Sequence, residues 1–196
     1  MNLKKGAMFG LDARIALAIF GALSVISGAA LYNAIEEAKA TAIITELNEL
    51  GKAWEAYYLD TRTSLPELDS NKSNSGFHVI KTQPLNINLG VNGWNGPYTS
   101  YKEGASYLIS SRAEDVWLMT LTTDVDWSNT ANGLCTTGRN CFIWARMYKS
   151  PTVLDEYWKE AIDEKVDDSD GADKGDFRWD ATGINLKYAA IPNPVD

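Results

Sequence analysis

Residues 11–32 read LDARIALAIFGALSVISGAALY and are the most informative stretch of this 196-residue chain. No charged side chain occurs from Ile15 to Tyr32. Eighteen helical residues rise about 27 Å, close to the ~30 Å hydrocarbon core of a bilayer. With residues 11–14 added, the segment is long enough to span a membrane. It exceeds the apolar core of about 7–15 residues in a secretory signal peptide, and no clean cleavage site follows it.

From Ala34 to Asp60 the pattern turns amphipathic. Apolar residues recur at steps of three and four, which is typical of one buried helix face: Ile43, Ile44, Leu47, Leu50, Trp54, Tyr57 and Tyr58. Charged residues occupy the other positions, namely Glu36, Glu37, Lys39, Glu46, Glu49 and Lys52. The two patterns together predict one helix of roughly 50 residues, or about 75 Å. It should end before Pro66, because proline disfavours helix in the residue that precedes it.

Beyond Leu65 the chain changes character, with turn formers at Asp69–Gly76 and Asn92–Pro97. Runs rich in aromatic and β-branched residues favour strands at Tyr107–Ser110, Val116–Thr123 and Cys141–Tyr148. The predicted fold class is therefore α+β. A long N-terminal helix, with a membrane-spanning half and an amphipathic half, packs on a C-terminal antiparallel β-sheet head.

Four segments resemble the type IV pilin superfamily, whose members include pilins and the pseudopilins of type II secretion. They are the basic leader Lys4-Lys5-Gly6-Ala7 before the apolar run, the helix end Tyr57-Tyr58-Leu59-Asp60 with Leu65-Pro66, the turn Gly93-Trp94-Asn95-Gly96-Pro97-Tyr98, and the late acidic loop from Val166 to Arg178. The resemblance implies a leader peptide at 1–7, a transmembrane and assembly helix at 8–32, its amphipathic continuation at 33–62 and a globular head at 63–196.

The resemblance also implies processing by a prepilin peptidase. Cutting after Gly6 keeps the glycine that is usual in the family and makes Asp12 the sixth mature residue. Cutting after Ala7 makes Met8 the first mature residue and Asp12 the fifth, which is the family's usual place for an acid. Aspartate stands here where the family usually has glutamate. Both registers remain open, with the second favoured.

The resemblance gives Asp12 a role in assembly. A carboxylate near apolar surroundings is costly unless it is paired, and in the family the acid pairs with the N-terminal amine of a neighbouring subunit. The alternative is that Asp12 lies at the level of the lipid headgroups, compensated by Arg14.

The function that follows is that of a structural subunit of a type IV pilus or type II secretion pseudopilus. Its expected partners are its own copies, related pilin subunits, the prepilin peptidase, the inner-membrane assembly platform and the membrane, and its mature N-terminus is a candidate for methylation. The alternative is a minor, tip-located or singly anchored binding protein, an adhesin or receptor with a pilin-like fold.

Charge and cysteines bear on the compartment. The net charge is −8 and no basic patch stands out, so no nucleic-acid partner is indicated. Lys4 and Lys5 precede the apolar run, which favours a cytoplasmic N-terminus and a periplasmic head on a single-pass inner-membrane protein. After assembly the head is expected in the pilus or pseudopilus. Cys135 and Cys141 fit an oxidising compartment as a disulfide, with two reduced, buried thiols as the alternative.

Residues 163–180 contain eight acids against three bases. Asp168, Asp170 and Gly171 echo a calcium loop, although the glutamate at the twelfth position of an EF-hand is missing. Major pseudopilins of type II secretion carry calcium in a late loop, so the resemblance makes Ca²⁺ the one cofactor to consider. The candidate ligands are Asp167, Asp168, Asp170, Asp173 and Asp176. The alternative is a solvated acidic turn that Arg178 neutralises in part.

Enzymatic chemistry finds little support in the sequence, and no enzyme is predicted. His78 is the only histidine, and it has no evident nucleophile partner. No glycine-rich phosphate loop, zinc-type cysteine pattern or H-E-x-x-H motif occurs. The seven tryptophans are expected mostly in the core or as turn anchors, with a sugar- or partner-binding aromatic surface as the alternative.

Overall fold

The structure is a computed structural model that describes residues 5–68, 79–104, 107–110, 115–127, 133–148 and 156–191, the side chains of 5–9, 156 and 157 excepted. His78 and the predicted turn at Asp69–Gly76 lie outside these residues. The chain divides into two compact units, Met1–Lys39 and Ala40–Asp196.

The first unit contains the N-terminal part of the helix α1, Lys5–Thr61. Every residue from 10 to 35 is exposed. Among these side chains are eleven large apolar ones: Leu11, Ile15, Leu17, Ile19, Phe20, Leu23, Val25, Ile26, Leu31, Tyr32 and Ile35. Apolar surface of this extent is stable in lipid or against other proteins rather than in water. The helix is long and apolar enough to cross a membrane.

The second unit contains the rest of α1, from Ala40 to Thr61. The predicted apolar stripe is confirmed, because Ile43, Leu47, Leu50, Trp54 and Tyr57 are all buried in one core. Ala40 and Ala53 join them, while Ile44 and Tyr58 are half-buried. The stripe thus anchors the head domain on the helix.

Glu46 differs from the prediction, since it is buried although its position was expected to be polar and solvated. The segment Tyr98–Tyr101 runs along this flank of α1, and the Tyr101 hydroxyl donates a hydrogen bond of 2.8 Å to the Glu46 carbonyl. Burial beside the carboxylates of Glu46 and Glu49 raises the pKa of Tyr101, which keeps the phenol protonated as a donor.

The remaining elements form an antiparallel sheet with one further helix, α2. Among the described residues the sheet has seven strands in the order β2-β3-β4-β5-β7-β6, and β1 pairs with β4. The elements are β1 Val79–Ile80, a 3₁₀ turn Gln83–Leu85, β2 Lys102–Glu103, β3 Leu108–Ile109, β4 Asp115–Thr122, β5 Cys141–Tyr148, α2 Glu156–Asp167, β6 Phe177–Trp179 and β7 Gly183–Ala190. The α+β prediction is confirmed.

Successive residues of a strand point to opposite faces of a sheet. On the inner face, Val116, Leu118, Ala145 and Met147 share the core with α1. On the outer face, a second and smaller core consists of Met119, Leu121, Val125, Trp127 and Trp144. The same alternation places Trp117, Arg146 and Tyr148 on this outer face.

Candidate functional site

The predicted processing residues Gly6, Ala7 and Met8 lie in the first turns of α1, and their side chains fall outside the described ones. Asp12 and Arg14 are both exposed. Residues two apart on a helix do not face each other. Among the described residues Asp12 forms no ion pair, so the arrangement gives no support to compensation by Arg14.

Cys135 and Cys141 form a disulfide with a Cα–Cα distance of 5.6 Å, as predicted. Cys141 is the first residue of β5, so the bond fixes the preceding loop to the start of an interior strand of the sheet. Arg139 in this loop donates hydrogen bonds of 2.8 and 2.6 Å to the carboxylate of Asp124. Disulfide and ion pair together hold the loop over the outer core.

Removing this disulfide should lower the free energy of unfolding by about 2 kcal/mol, because closing so short a loop removes little entropy from the unfolded chain. The comparison is Cys135→Ser/Cys141→Ser with wild type, by urea denaturation of the full chain in detergent. Reductant should lower the wild-type midpoint and leave the double variant unchanged. A wild-type midpoint that does not respond to full reduction would contradict this account.

The predicted acidic loop is partly helical. α2 extends to Asp167, and it ends where Asp168 and Ser169 take left-handed φ angles of 55° and 64°. Carboxylate oxygens of Asp163, Asp167 and Asp170 lie within 4.8 Å of one another, and we call these three residues the acidic cluster. Asp167 and Asp170 belong to the predicted ligand set. Asp163 does not, and the cluster omits the other predicted ligands, Asp168, Asp173 and Asp176.

Two members of the acidic cluster also accept hydrogen bonds from the backbone of the segment that follows α2. The Asp167 carboxylate accepts backbone hydrogen bonds from Asp176, at 2.9 Å, and from Phe177, at 2.6 Å, where β6 begins. The Asp163 Oδ2 atom accepts one from Gly171 at 3.0 Å. Asp163 is only 3% exposed, and its Oδ1 atom has no hydrogen-bond partner in the described part of the chain.

Electrostatics make Asp163 the unusual member. Burial raises the pKa of its carboxyl above the ordinary value, the Gly171 hydrogen bond opposes this, and the charges of Asp170 and Asp167 raise the pKa further. A buried anion beside two others is stable only with a proton or a cation. Calcium prefers oxygen ligands, so the orphaned Oδ1 of Asp163 with the carboxylates of Asp167 and Asp170 fits that ion as part of a coordination shell.

Calcium is therefore expected to stabilise the full chain against thermal unfolding, by about 2.7 kcal/mol at a concentration a hundred times its Kd. Asp163→Asn should remove this response and raise the stability of the calcium-free protein at neutral pH. Asp173→Asn, which changes an exposed carboxylate outside the cluster, should keep the response. Melting curves in calcium and in EDTA provide the test, and identical wild-type curves would contradict the site.

The sign of the pH effect follows from the raised pKa of Asp163. Between the ordinary aspartate pKa of about 4 and the raised value, the folded chain binds more protons than the unfolded chain. The Asp163 contribution should therefore destabilise calcium-free protein as pH rises through this window. Calcium should restore the stability lost in this pH window, and Asp163→Asn should remove this part of the pH dependence.

The charge of Arg178 interacts with the charges of Asp170, Asp167, Asp173 and Asp176, as expected for partial neutralisation of the acidic turn, although the described hydrogen bonds of its guanidinium go to carbonyl groups. Its guanidinium donates to the carbonyls of Thr123, at 2.7 Å, and Gly175, at 3.1 Å, and lies 5.0 Å from the ring centre of Trp144. Arg178 therefore ties the acidic turn to the outer core.

A cavity of about 670 Å³ opens on the outer face of the sheet, and we call it the aromatic cavity. Its aromatic lining consists of Trp117, Trp127, Tyr148 and Trp179. The indole N–H groups of Trp117 and Trp127 are buried and have no acceptor among the described residues. A buried donor without a partner costs about 1–3 kcal/mol, so this lining is a place where a ligand or water adds stability.

The floor of the aromatic cavity is an ion pair, Arg146 with Asp180. Arg146 donates hydrogen bonds of 2.8 and 3.1 Å to the two carboxylate oxygens, and others of 2.9 Å to Asn185 and 2.8 Å to Thr182. Burial alone would raise the pKa of Asp180, but the hydrogen bonds and charge of Arg146, with the Thr182 hydrogen bonds, outweigh it and lower that pKa. The Asp180 carboxylate is therefore ionised at neutral pH, and its contact with Arg146 is supported by the neighbouring hydrogen bonds.

Comparisons with known proteins add no family to this description. No protein-family model matches the sequence, and neither the curated proteins nor the solved structures contain a match. The long N-terminal helix, the antiparallel sheet and the disulfide are compatible with a pilin-like fold.

Proposed function

We propose that this chain is a structural subunit of a type IV pilus or type II secretion pseudopilus, trimmed by a prepilin peptidase and polymerised through α1. The observation that carries the proposal is the contrast within this helix. Residues 10–35 expose apolar side chains, whereas the stripe from Ala40 to Tyr57 is buried in the head's own core. A helix of this kind can leave the lipid and pack its apolar side chains against the helices of neighbouring subunits.

Small residues support close packing of such helices. A Cβ added at Gly21 or at Gly28 would meet no described atom within 4 Å. Glycine lets helix backbones approach each other in a membrane environment, and two glycines seven residues apart lie near one face. This face is therefore open to a second copy.

Asp12 supplies the specificity of assembly in this proposal. It is the only acid between residues 10 and 35, in a region where an unpaired carboxylate is costly. An N-terminal amine of a neighbouring subunit would neutralise it. The positive charges of Lys4 and Lys5 favour a cytoplasmic start before processing and a periplasmic head, where the disulfide is stable.

A minor, tip-located or singly anchored binding protein is the second candidate. The aromatic cavity favours it, because subunit packing through α1 assigns no role to four aromatic side chains around one space on the outer face of the sheet. In either case the proposed role is mechanical or adhesive rather than catalytic.

Sheared and purified filaments from cells that express the native chain test the proposal. A major subunit should dominate the sheared protein, and a minor subunit should be present at a few copies per filament. Deletion of the prepilin peptidase should remove the chain from this fraction and leave it in the membrane. A chain that stays in the membrane in both strains would exclude the filament and leave the anchored receptor.

A further inference from the structure

We propose that the aromatic cavity binds a neutral carbohydrate, with pyranose rings stacked on its aromatic side chains. The cavity lies on the face of the sheet opposite the core shared with α1, so the inference does not depend on filament assembly. Its volume of about 670 Å³ is within the range of about 300–1,000 Å³ that is usual for small-ligand sites.

The aromatic lining is positioned by the sheet and by the outer core. Trp117 on β4 lies between Tyr107 and Tyr148, with ring centres 4.6 and 6.1 Å away. Trp127 follows β4 and packs edge-on against Trp144 at 5.4 Å. Tyr148 is 39% exposed, so part of its ring is available to a ligand. The C–H groups on the face of a pyranose carry partial positive charge and are attracted to the negative face of such rings.

The unpaired donors favour a ligand that carries oxygen atoms. Trp127 is 6% exposed, and neither its indole N–H nor that of Trp117 has an acceptor in the part of the chain that the structure describes. A hydroxylated ligand that shifts these rings enough to reach an indole N–H supplies the missing acceptor and, at the same time, a donor to a carboxylate. Asp126 and Asp173 provide exposed carboxylates in the lining.

Charge decides between classes of sugar. The lining contains the three acids Asp126, Asp173 and Asp180 and the one base Arg146, a formal excess of two negative charges. Arg146 is already engaged by Asp180, Asn185 and Thr182, so it is not available to neutralise an anion. Sialylated, uronic or phosphorylated sugars should therefore be rejected, and neutral sugars accepted.

Binding of neutral and acidic glycans to the full chain tests this inference. The protein is kept in a polyoxyethylene detergent, because glucoside and maltoside detergents would compete. On a glycan array, neutral glycans should be retained and their sialylated counterparts should not. Lactose and sialyllactose form a matched pair for tryptophan fluorescence in solution, with cellotriose as a second neutral probe and choline as a probe for organic cations.

Two pairs of variants locate the site. Tyr148→Leu should weaken binding of the retained glycan about three- to tenfold through loss of a stacking ring. Tyr107→Leu, which also changes a ring against Trp117 but lies outside the lining, should leave affinity within about twofold. Asp126→Asn should weaken it about tenfold, because a charge-assisted hydrogen bond is lost. Asp124→Asn, which changes an exposed carboxylate outside the lining, is the control.

Several outcomes would overturn the inference. Retention of no glycan on the array, preference for sialylated glycans, or saturable binding of choline without binding of neutral sugars would each exclude a neutral-carbohydrate site. Equal losses for Tyr148→Leu and Tyr107→Leu would show that the bound sugar lies elsewhere. None of these results bears on incorporation into filaments, so this test and that of the proposed function are independent.

Discussion

Asp12→Ala chains are expected to insert into the membrane at wild-type levels and to be missing from sheared filaments. The substitution removes a charge from an apolar segment, so insertion itself should not suffer. Assembly should suffer because the amine of the neighbouring subunit then lacks its counter-charge. Removal of one partner of a buried pair costs about 3–5 kcal/mol, so the assembled fraction should fall about a hundredfold or more.

Asp12→Glu and Arg14→Ala are the controls for this experiment. Asp12→Glu keeps a carboxylate at the same place, and it should retain assembly. Arg14→Ala tests the alternative that Arg14 compensates Asp12, and the pairing proposal expects normal incorporation. Quantitative immunoblots of membrane and sheared fractions measure both quantities. Normal filaments from Asp12→Ala chains would exclude a role for this carboxylate in assembly.

Asp180→Ala should cause the largest loss of stability in the head, about 3–5 kcal/mol. Asp180 accepts hydrogen bonds from Arg146, from the Thr182 backbone at 2.6 Å and hydroxyl at 2.7 Å, and from Gly183 at 3.0 Å. The side chain of Arg146 is 4% exposed, so its charge would remain buried without a counter-charge. Urea denaturation of the full chain, followed by near-UV circular dichroism, measures the change.

Asp124→Ala provides a matched control, because it breaks an ion pair in which both carboxylate oxygens accept hydrogen bonds from Arg139. This pair is much more exposed, since the side chain of Arg139 is 33% exposed and that of Asp124 is 70% exposed. An exposed pair contributes about 0–1 kcal/mol, so this variant should lose little. The double variant Arg146→Met/Asp180→Ala removes both charges and should recover part of the stability lost in Asp180→Ala. Equal losses for Asp180→Ala and Asp124→Ala would contradict the buried network.

The lowered pKa of Asp180 also predicts how the stability of the chain changes at acidic pH. Because the folded-state pKa of Asp180 is lowered, its contribution to stability is fully present above the ordinary aspartate pKa of about 4. That contribution should be lost as pH falls below this value through the lowered pKa. Asp180→Ala should lack this part of the acid dependence.

The helix α1 and two of the three eight-residue strands, β4 and β5, were predictable because each has a strong local signal. The three- and four-residue spacing of Ile43, Leu47, Leu50 and Trp54 permits one buried helix face. The aromatic and branched runs became β4 at Asp115–Thr122 and β5 at Cys141–Tyr148, within one residue of the prediction. Tyr107–Ser110 shortened to Leu108–Ile109.

The elements of the last forty residues were missed because acidic residues masked their pattern. α2 buries Ile162 and Asp163 on one side, although the surrounding sequence looks like a solvated loop. Since Asp163 and Asp167 are four residues apart on a helix, they share a face, and a loop interpretation does not bring them together. The partial apolar alternation in Gly183–Ala190 was the available signal for β7.

The aromatic cavity was not predictable as a site, although the number of tryptophans hinted at an aromatic surface. Its lining comes from β4, β5, β6, the segments that follow β4 and β6, and the turn between α2 and β6 that holds Asp173. Only the register that sets Trp117 opposite Arg146, and Asp115 opposite Tyr148, brings these residues to one face. Long-range pairing of this kind leaves no trace in a short window of sequence.

The intact mass of the chain purified from native filaments tests the central claim most directly. The account predicts a mature protein without its leader, starting at Met8 or at Ala7, with any methylation on that new N-terminal amine. A native protein that still carries Met1 to Gly6, or that is never recovered outside the lipid fraction, would contradict it.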